Sequence, residues 1–266
     1  VNAVSIGPLV FDGARFAAVA GLFLFAAATE IAARLQHRDA AQWTGIALLA
    51  WILGARAGFV AANWPSFATH PLDALRLWQG GFLPAAGWAA GAAVLLLALL
   101  RRQRAAALQL AVGGVAALVA HQAATAALTR PAVDLPVMQL IALDGSAVQL
   151  AGRDRPLVLN LWATWCPPCR REMPMMTQLA ATTPGADFVF ANQGEDTAQI
   201  HHFLQAENLP ATGMVRDPQH RLMAALDTVG LPATLVFDAR GGLVAAHTGE
   251  ISRAALTRMI AQATGE

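Results

Sequence analysis

Val158-Leu-Asn-Leu-Trp-Ala-Thr-Trp-Cys-Pro-Pro-Cys-Arg-Arg-Glu-Met-Pro174 joins two segments of opposite character. Leu157–Trp162 is a continuous apolar run, interrupted only by Asn160, and suits a strand buried on both faces. From Cys166 to Ala181 the pattern becomes helical, so Cys166 and Cys169 stand at a strand-to-helix junction. Two cysteines at this spacing can close a bridge with little backbone movement. The first lies near a helix N-terminus, where the macrodipole and free N–H groups stabilise a thiolate. Pro167 and Pro168 fit the first turn, because those N–H groups have no intrahelical acceptor anyway.

The chain holds 2 cysteines in 266 residues, so any bridge must join these two. A half zinc site and an inert buried pair are the competing readings. Tetrahedral zinc needs four ligands, and neither a second Cys pair nor a His-x-x-x-His accompanies this one. No metal is expected, and no cofactor other than the Cys166–Cys169 dithiol itself. His201 and His202 are adjacent, hence on different faces of a helix, and do not read as ligands.

Around this motif the sequence reads as an α/β domain. Leu135–Leu150 alternates about Asp144-Gly145, a hairpin signal. Phe188–Asn192, Gly213–Val215, Thr234–Phe237 and Leu243–His247 read as strands, and Thr197–Glu207, Pro218–Leu226 and Ser252–Ala263 as helices. Such alternation indicates a mixed sheet covered by helices. Glu195 reads as a loop or cap residue.

Before residue 130 the composition is different. Overall the chain is 56% hydrophobic and 13% charged, about half the charged fraction of soluble domains. That excludes an ordinary cytosolic enzyme. A net charge of +1 gives no basic face for nucleic acid. Four apolar stretches, Arg15–Ala33, Thr44–Ala62, Phe82–Leu100 and Ala105–Leu128, each approach the ~20 residues that cross a bilayer. For the fourth, a soluble Ala-rich helix is the alternative. The first stretch does not read as a cleavable signal peptide.

Arginine placement orients the spans. Arg34 and Arg38 occupy the first loop and Arg101, Arg102 and Arg104 the third, whereas Arg76 in the second is offset by Asp73. The positive-inside rule makes the first and third loops cytoplasmic. Everything after Arg130 is then extracytoplasmic, where a disulfide persists. Within the spans, Arg56 is costly to bury and reads as functional or as an interhelical anchor. Counting helical rise sets it well away from Glu30 along the membrane normal, so no Arg56–Glu30 pair is expected. A phospholipid headgroup reached by snorkelling is the functional reading.

The quoted run, Val158 to Pro174, resembles the TlpA-like branch of the thioredoxin superfamily, the ResA- and CcmG-like proteins, over roughly Val133–Ile260. The resemblance implies a thioredoxin fold and a thiol–disulfide oxidoreductase. It implies Cys166 as the exposed nucleophile, Cys169 as the buried resolving thiol, Trp165 shielding the pair, and Glu172 managing the active-site protons. A solvated helix carboxylate is the alternative for Glu172, and a plain core aromatic for Trp165. Gly230-Leu-Pro-Ala-Thr234 looks like the family's cis-proline loop, so Pro232 is expected to be cis, with Leu231 and Pro232 holding incoming polypeptide. Asn160 stands where thioredoxin has a buried acid, in keeping with the TlpA-like pattern. Pro174 is expected to kink the active-site helix. The resemblance further implies a reductase of extracytoplasmic protein disulfides, for instance in cytochrome c maturation. The two prolines, which remove N–H donors, favour the disulfide and hence a reductant, while Arg170 and Arg171 act in the opposite sense.

Gly54-Ala-Arg-Ala-Gly-Phe-Val60 with His70-Pro-Leu-Asp-Ala-Leu-Arg-Leu-Trp-Gln-Gly-Gly81 resembles the first half of prolipoprotein diacylglyceryl transferase. The family's His-Gly after the double glycine is missing, its Gly-Arg-Ile-Gly-Asn signature is absent, and the chain has 0 tyrosines to supply its early tyrosine. A truncated relative, kept as scaffold or lipid-binding bundle, is the reading.

The expected architecture is an α-helical membrane bundle of about four spans over residues 1–130, then an α/β thioredoxin fold over residues 131–266. Localisation in a bacterial inner membrane with the redox domain in the periplasm follows. A lipid transferase-related protein and a tethered binding module with a vestigial pair are the alternatives. The spans carry no cysteine, and His121 is their only histidine. A DsbD- or CcdA-like membrane donor is therefore expected to supply electrons.

Overall fold

The computed structural model describes residues 3–6, 9–36, 41–128 and 134–265. The chain divides into two compact units, one being Gly13–Thr129 and the other taking in the rest. A short antiparallel ribbon, β1 (Ala3–Ile6) with β2 (Leu9–Asp12), precedes the first unit.

Four longer helices build that first unit: α1 (Gly13–Leu35), α2 (Ala41–Ala62), α4 (Pro84–Leu100) and α5 (Arg104–Leu128), with a short α3 (Trp64–Ala68) between. Among the described residues, three are long and apolar enough to cross a membrane: Arg15–Leu35, Gln42–Ala62 and Arg104–Leu128. α4 is more apolar than these but has 17 residues, about 26 Å at 1.5 Å each. It starts at Pro84 and not at Phe82, because Gly80 and Gly81 hold φ of 74° and 76° just before it, and proline suits the first turn. α2 and α4 approach closely: a Cβ on Gly54 would lie 2.6 Å from the Ala90 Cβ, and one on Gly58 would collide with the Ala86 Cβ. Small residues at this spacing let helix backbones meet. Any larger side chain at Gly58 would force the pair apart.

The second unit is a seven-stranded mixed sheet in the order β4-β3-β7-β6-β5-β8-β9. Its strands are β3 (Gln139–Ala142), β4 (Ala147–Gln149), β5 (Leu157–Trp162), β6 (Asp187–Gln193), β7 (Met214–Asp217), β8 (Ala233–Phe237) and β9 (Leu243–Thr248). Helices α6 (Pro167–Thr182), α7 (Thr197–Ala206), α8 (Arg221–Ala225) and α9 (Arg253–Thr264) cover it. β5 lies between β6, parallel, and β8, antiparallel, and every residue of it is buried. Its period of two divides two cores. Val158 and Trp162 join Met173, Met176 and Phe190 in one, and Leu157, Leu159 and Leu161 join Leu222, Leu235 and Phe237 in the other. Each fully buried large apolar side chain contributes about 1.5–3 kcal/mol, so this strand anchors both cores. Asn160 falls on the α6 face, which brings a polar group under the active-site helix.

The Asp144-Gly145 turn joins β3 to β4, with Asp144 accepting from the Ser146 N–H at 2.9 Å. The helix anticipated over Pro218–Leu226 is shorter. His220 takes the left-handed conformation, and the Asp217 carboxylate accepts from the N–H groups of Arg221 and Leu222 at 3.0 and 2.8 Å. The side chain thus fixes where the helix begins, leaving Pro218–His220 as turn.

Candidate active site

The β5–α6 junction places both sulfurs. Cys166 is the N-cap of α6, extended at φ −89°, and its Sγ accepts from the Cys169 N–H at 3.3 Å. Pro167 and Pro168 occupy the first turn, where no N–H is needed. Cys166 and Cys169 form a disulfide, with Cα atoms 5.3 Å apart.

The expectation of an exposed nucleophile needs correction. Cys166 is 3% exposed and Cys169 fully buried. In this oxidised state both cysteines belong to the α6-side core. Trp165, by contrast, is 66% exposed. It stands beside the pair as a surface aromatic and is not a core residue; the core tryptophan is Trp162.

Glu172 lies one turn after Cys169 on α6 and is 2% exposed, so the solvated alternative does not hold. Asn160 Nδ2 donates to its Oε1 at 3.0 Å and the Ile251 N–H to its Oε2 at 3.0 Å. Burial nevertheless dominates and pushes its pKa up to about 8; the two hydrogen bonds act in the opposite sense. The Asn160 amide also donates to Thr234 Oγ1 at 3.1 Å, linking β5 to β8 beneath the helix.

The Leu231–Pro232 peptide is cis, as expected. Leu231 packs against the core cluster that holds both cysteines. The Pro232 oxygen accepts from the Gly249 N–H at 2.8 Å, fastening this loop to the turn after β9. Pro174 stands inside α6, where it can offer no N–H to the preceding turn.

Two features escaped sequence reasoning. Glu195, read as a loop or cap residue, is 7% exposed and accepts from the Thr164 N–H at 2.7 Å, the Thr164 hydroxyl and Asn192 Nδ2 at 2.6 Å. It thereby clamps the approach to Cys166 onto the end of β6. The one signal available was Asn192 three positions earlier, whose Oδ1 accepts from the Glu195 N–H. Second, Arg171 pairs with the nearly buried Glu250, at 2.6 Å, across 79 residues of sequence. No local pattern encodes that pairing. His201 and His202 are both exposed, and no cluster of three metal-ligating groups occurs among the described residues.

Arg56 departs from its expected place. It is 4% exposed and donates to the carbonyls of Asp73, Ala74, Gly80 and Gly81 at 2.6–2.9 Å. Phe59, Phe67 and Phe82 surround it at 5.6–6.0 Å. Backbone oxygens take up four of its five N–H donors, two of them from the Gly80-Gly81 turn, whose carbonyls fold inward. Glu30 pairs with Arg34. Of the first-loop arginines, Arg38 lies outside the described residues.

Over residues 125–261 the sequence matches the Redoxin family. It is 29% identical over 124 residues to "Thiol-disulfide oxidoreductase ResA" of Bacillus subtilis (strain 168), covering 45% of this chain and 68% of that protein. The protein of that name from Geobacillus thermodenitrificans (strain NG80-2) is 31% identical over 121 residues, 44% of this chain and 69% of the relative. "Thiol:disulfide interchange protein DsbE homolog" of Paracoccus denitrificans (strain Pd 1222) is 32% identical over 98 residues, 36% of this chain and 52% of the relative. The similarity therefore falls on the second unit.

Proposed function

The chain belongs to the Redoxin family, as a thiol–disulfide oxidoreductase of the ResA and DsbE type, and from that premise we propose that Cys166 and Cys169 reduce disulfides of extracytoplasmic proteins. The observation carrying this reading is the disulfide at the N-terminus of α6, with a buried Glu172 one turn away whose pKa burial raises.

The exchange runs in two halves. In the reduced protein the Cys166 thiolate attacks one sulfur of a substrate disulfide; the other sulfur leaves as a thiolate and takes a proton from solvent. Cys169 then gives up its proton, attacks the Cys166 sulfur and releases the second substrate thiolate. The substrate gains two electrons and the Cys166–Cys169 bond forms. For recharging, a donor thiolate attacks Cys166 and Cys169 departs as a thiolate; the donor's second thiolate then attacks the donor sulfur of that mixed disulfide, releasing Cys166 as a thiolate and leaving the donor oxidised. Cys169 is protonated on departure. Its proton comes from Glu172, which at neutral pH is mostly protonated in the oxidised protein because burial raises its pKa to about 8. Leu231 and Pro232 offer the backbone surface against which substrate polypeptide lies, and Trp165 covers the pair at its exposed side.

Four membrane helices anchor this domain in a bacterial inner membrane, with the redox unit in the periplasm; three helices long and apolar enough to cross support the anchoring, and the placement of Arg34, Arg101, Arg102 and Arg104 supports the orientation. Electrons come from a DsbD- or CcdA-like partner, since both cysteines lie after residue 130. A role in cytochrome c maturation is the further expectation. The first unit, as a truncated diacylglyceryl transferase relative, serves as scaffold.

The test is insulin-type disulfide reduction by the full chain in detergent. Cys166→Ser abolishes turnover, whereas Cys169→Ser leaves one reactive thiol that iodoacetamide labels at Cys166. Turnover surviving Cys166→Ser would refute the assignment.

A further inference from the structure

Two neighbouring residues of α6 are gripped by two neighbouring residues of the turn after β9. Arg171 Nη2 and Nε lie 2.6 and 2.7 Å from Glu250 Oε2. One position on, the Ile251 N–H donates to Glu172 Oε2 at 3.0 Å. The Glu250 side chain is 5% exposed while that of Arg171 is 55% exposed, so the pair reaches from solvent towards the buried Glu172 carboxyl. The same turn is tied to the cis-proline loop through the Gly249 N–H and the Pro232 oxygen.

We propose that Glu250, held by Arg171, is a positioning residue that governs when Glu172 holds its proton. Its consequence for disulfide exchange rests on the reading of Glu172 as proton donor to Cys169. The argument is electrostatic. The groups facing Glu172 from β5 and β8 are neutral: Asn160 donates to it, and Thr234 accepts from Asn160. From the β9–α9 turn come the Ile251 N–H and the Glu250 carboxylate, and from α6 itself Arg171 and Cys169. His247 of β9 meets the Glu250 backbone oxygen at 3.2 Å. Glu250 and Arg171 are thus the charged side chains that act on the Glu172 carboxyl. The Glu250 anion disfavours a second anion at Glu172 and the Arg171 cation favours one. Burial weakens solvent screening of both. Because each residue is the other's partner, a change at either one alters the balance at Glu172 without touching its own hydrogen bonds.

The experiment follows the Glu172 carboxyl carbon by NMR in the full, oxidised chain labelled with δ-carbon-13 glutamate in detergent, its resonance assigned by Glu172→Gln. Glu250→Gln removes the anion and lowers the Glu172 midpoint, by about one pH unit. Arg171→Gln raises it, and Glu250→Asp leaves it near the parent value. Should Glu250→Gln not fold, the rise in Arg171→Gln and the rescue in Glu250→Asp carry the same test. A purely structural clasp would lower thermal stability with no movement of the midpoint; that result, or shifts of the same sign in both variants, overturns the proposal. Midpoints that move as stated while the rate of disulfide reduction by dithiothreitol fails to track them would remove Glu172 from the exchange and leave the pairing intact.

Discussion

The Glu195 carboxylate binds both the backbone N–H and the hydroxyl of Thr164, two residues before Cys166. Asn192 Nδ2 supplies a third donor, so one buried carboxylate holds the strand end and the cysteine loop together. Glu195→Ala leaves those donors unsatisfied, at about 1–3 kcal/mol. Hydrogen exchange at the Thr164 amide of the oxidised chain should rise sharply in this variant, and Glu195→Gln, which keeps one acceptor oxygen, should lie between. Unchanged protection in Glu195→Ala would remove the clamp from the account.

Glu172 gives the oxidised fold a specific pH dependence. Its folded pKa of about 8 lies above the ordinary value of 4.5. Between those values the native state holds a proton that the unfolded chain has lost, so stability falls as pH rises. The slope is about 1.4 kcal/mol per pH unit for one proton. Unfolding in denaturant at pH 5, 7 and 9 should show the loss, and Glu172→Gln should flatten that part of it. A Glu172→Gln profile parallel to the parent's would contradict the buried, protonated carboxyl.

Arg56 is expected to matter as a tie and not as a lipid contact. Arg56→Ala removes the donor to the Ala74, Gly80 and Gly81 carbonyls together, while the Asp73 carbonyl keeps the Arg76 N–H. Hydrogen bonds to a charged donor are worth about 1.5–3 kcal/mol each and do not add simply, so a loss of several kcal/mol is the expected scale. Lys cannot reproduce the guanidinium fork. Limited proteolysis between residues 70 and 82 in detergent should speed up in both variants; equal resistance would return Arg56 to the lipid-facing reading.

Orientation is tested by fusion. A reporter active only outside the cytoplasm should work after Glu266 and fail after Arg102. The reverse pattern would overturn the orientation inferred from Arg34, Arg101, Arg102 and Arg104, and with it the oxidising compartment.

The legibility of this chain in sequence follows the range of the forces involved. β5 was readable because six consecutive buried positions leave a local record, and α6 because two prolines and an N-cap cysteine mark its start. Cis Pro232 was readable through a motif. The burial of Cys166 in the oxidised pair was not legible because it depends on core residues distant in sequence, such as Phe190, Phe203 and Leu256. Glu195 and Glu250 were missed for a related reason: their meaning lies in Thr164 and Arg171, 31 and 79 residues away. The inward turn of Arg56 likewise depends on carbonyls up to 25 residues distant.

The central claim, that Cys166 and Cys169 are a working two-electron centre, is tested most directly by redox titration. The full chain in detergent is equilibrated at pH 7 across graded ratios of reduced to oxidised dithiothreitol, quenched with an alkylating reagent and weighed by mass spectrometry. The account predicts one reversible transition in which two alkyl groups appear together, without a populated singly labelled form and without unfolding. A bridge that stays closed at every ratio until denaturant is added would show that the pair is a structural cross-link and contradict the account.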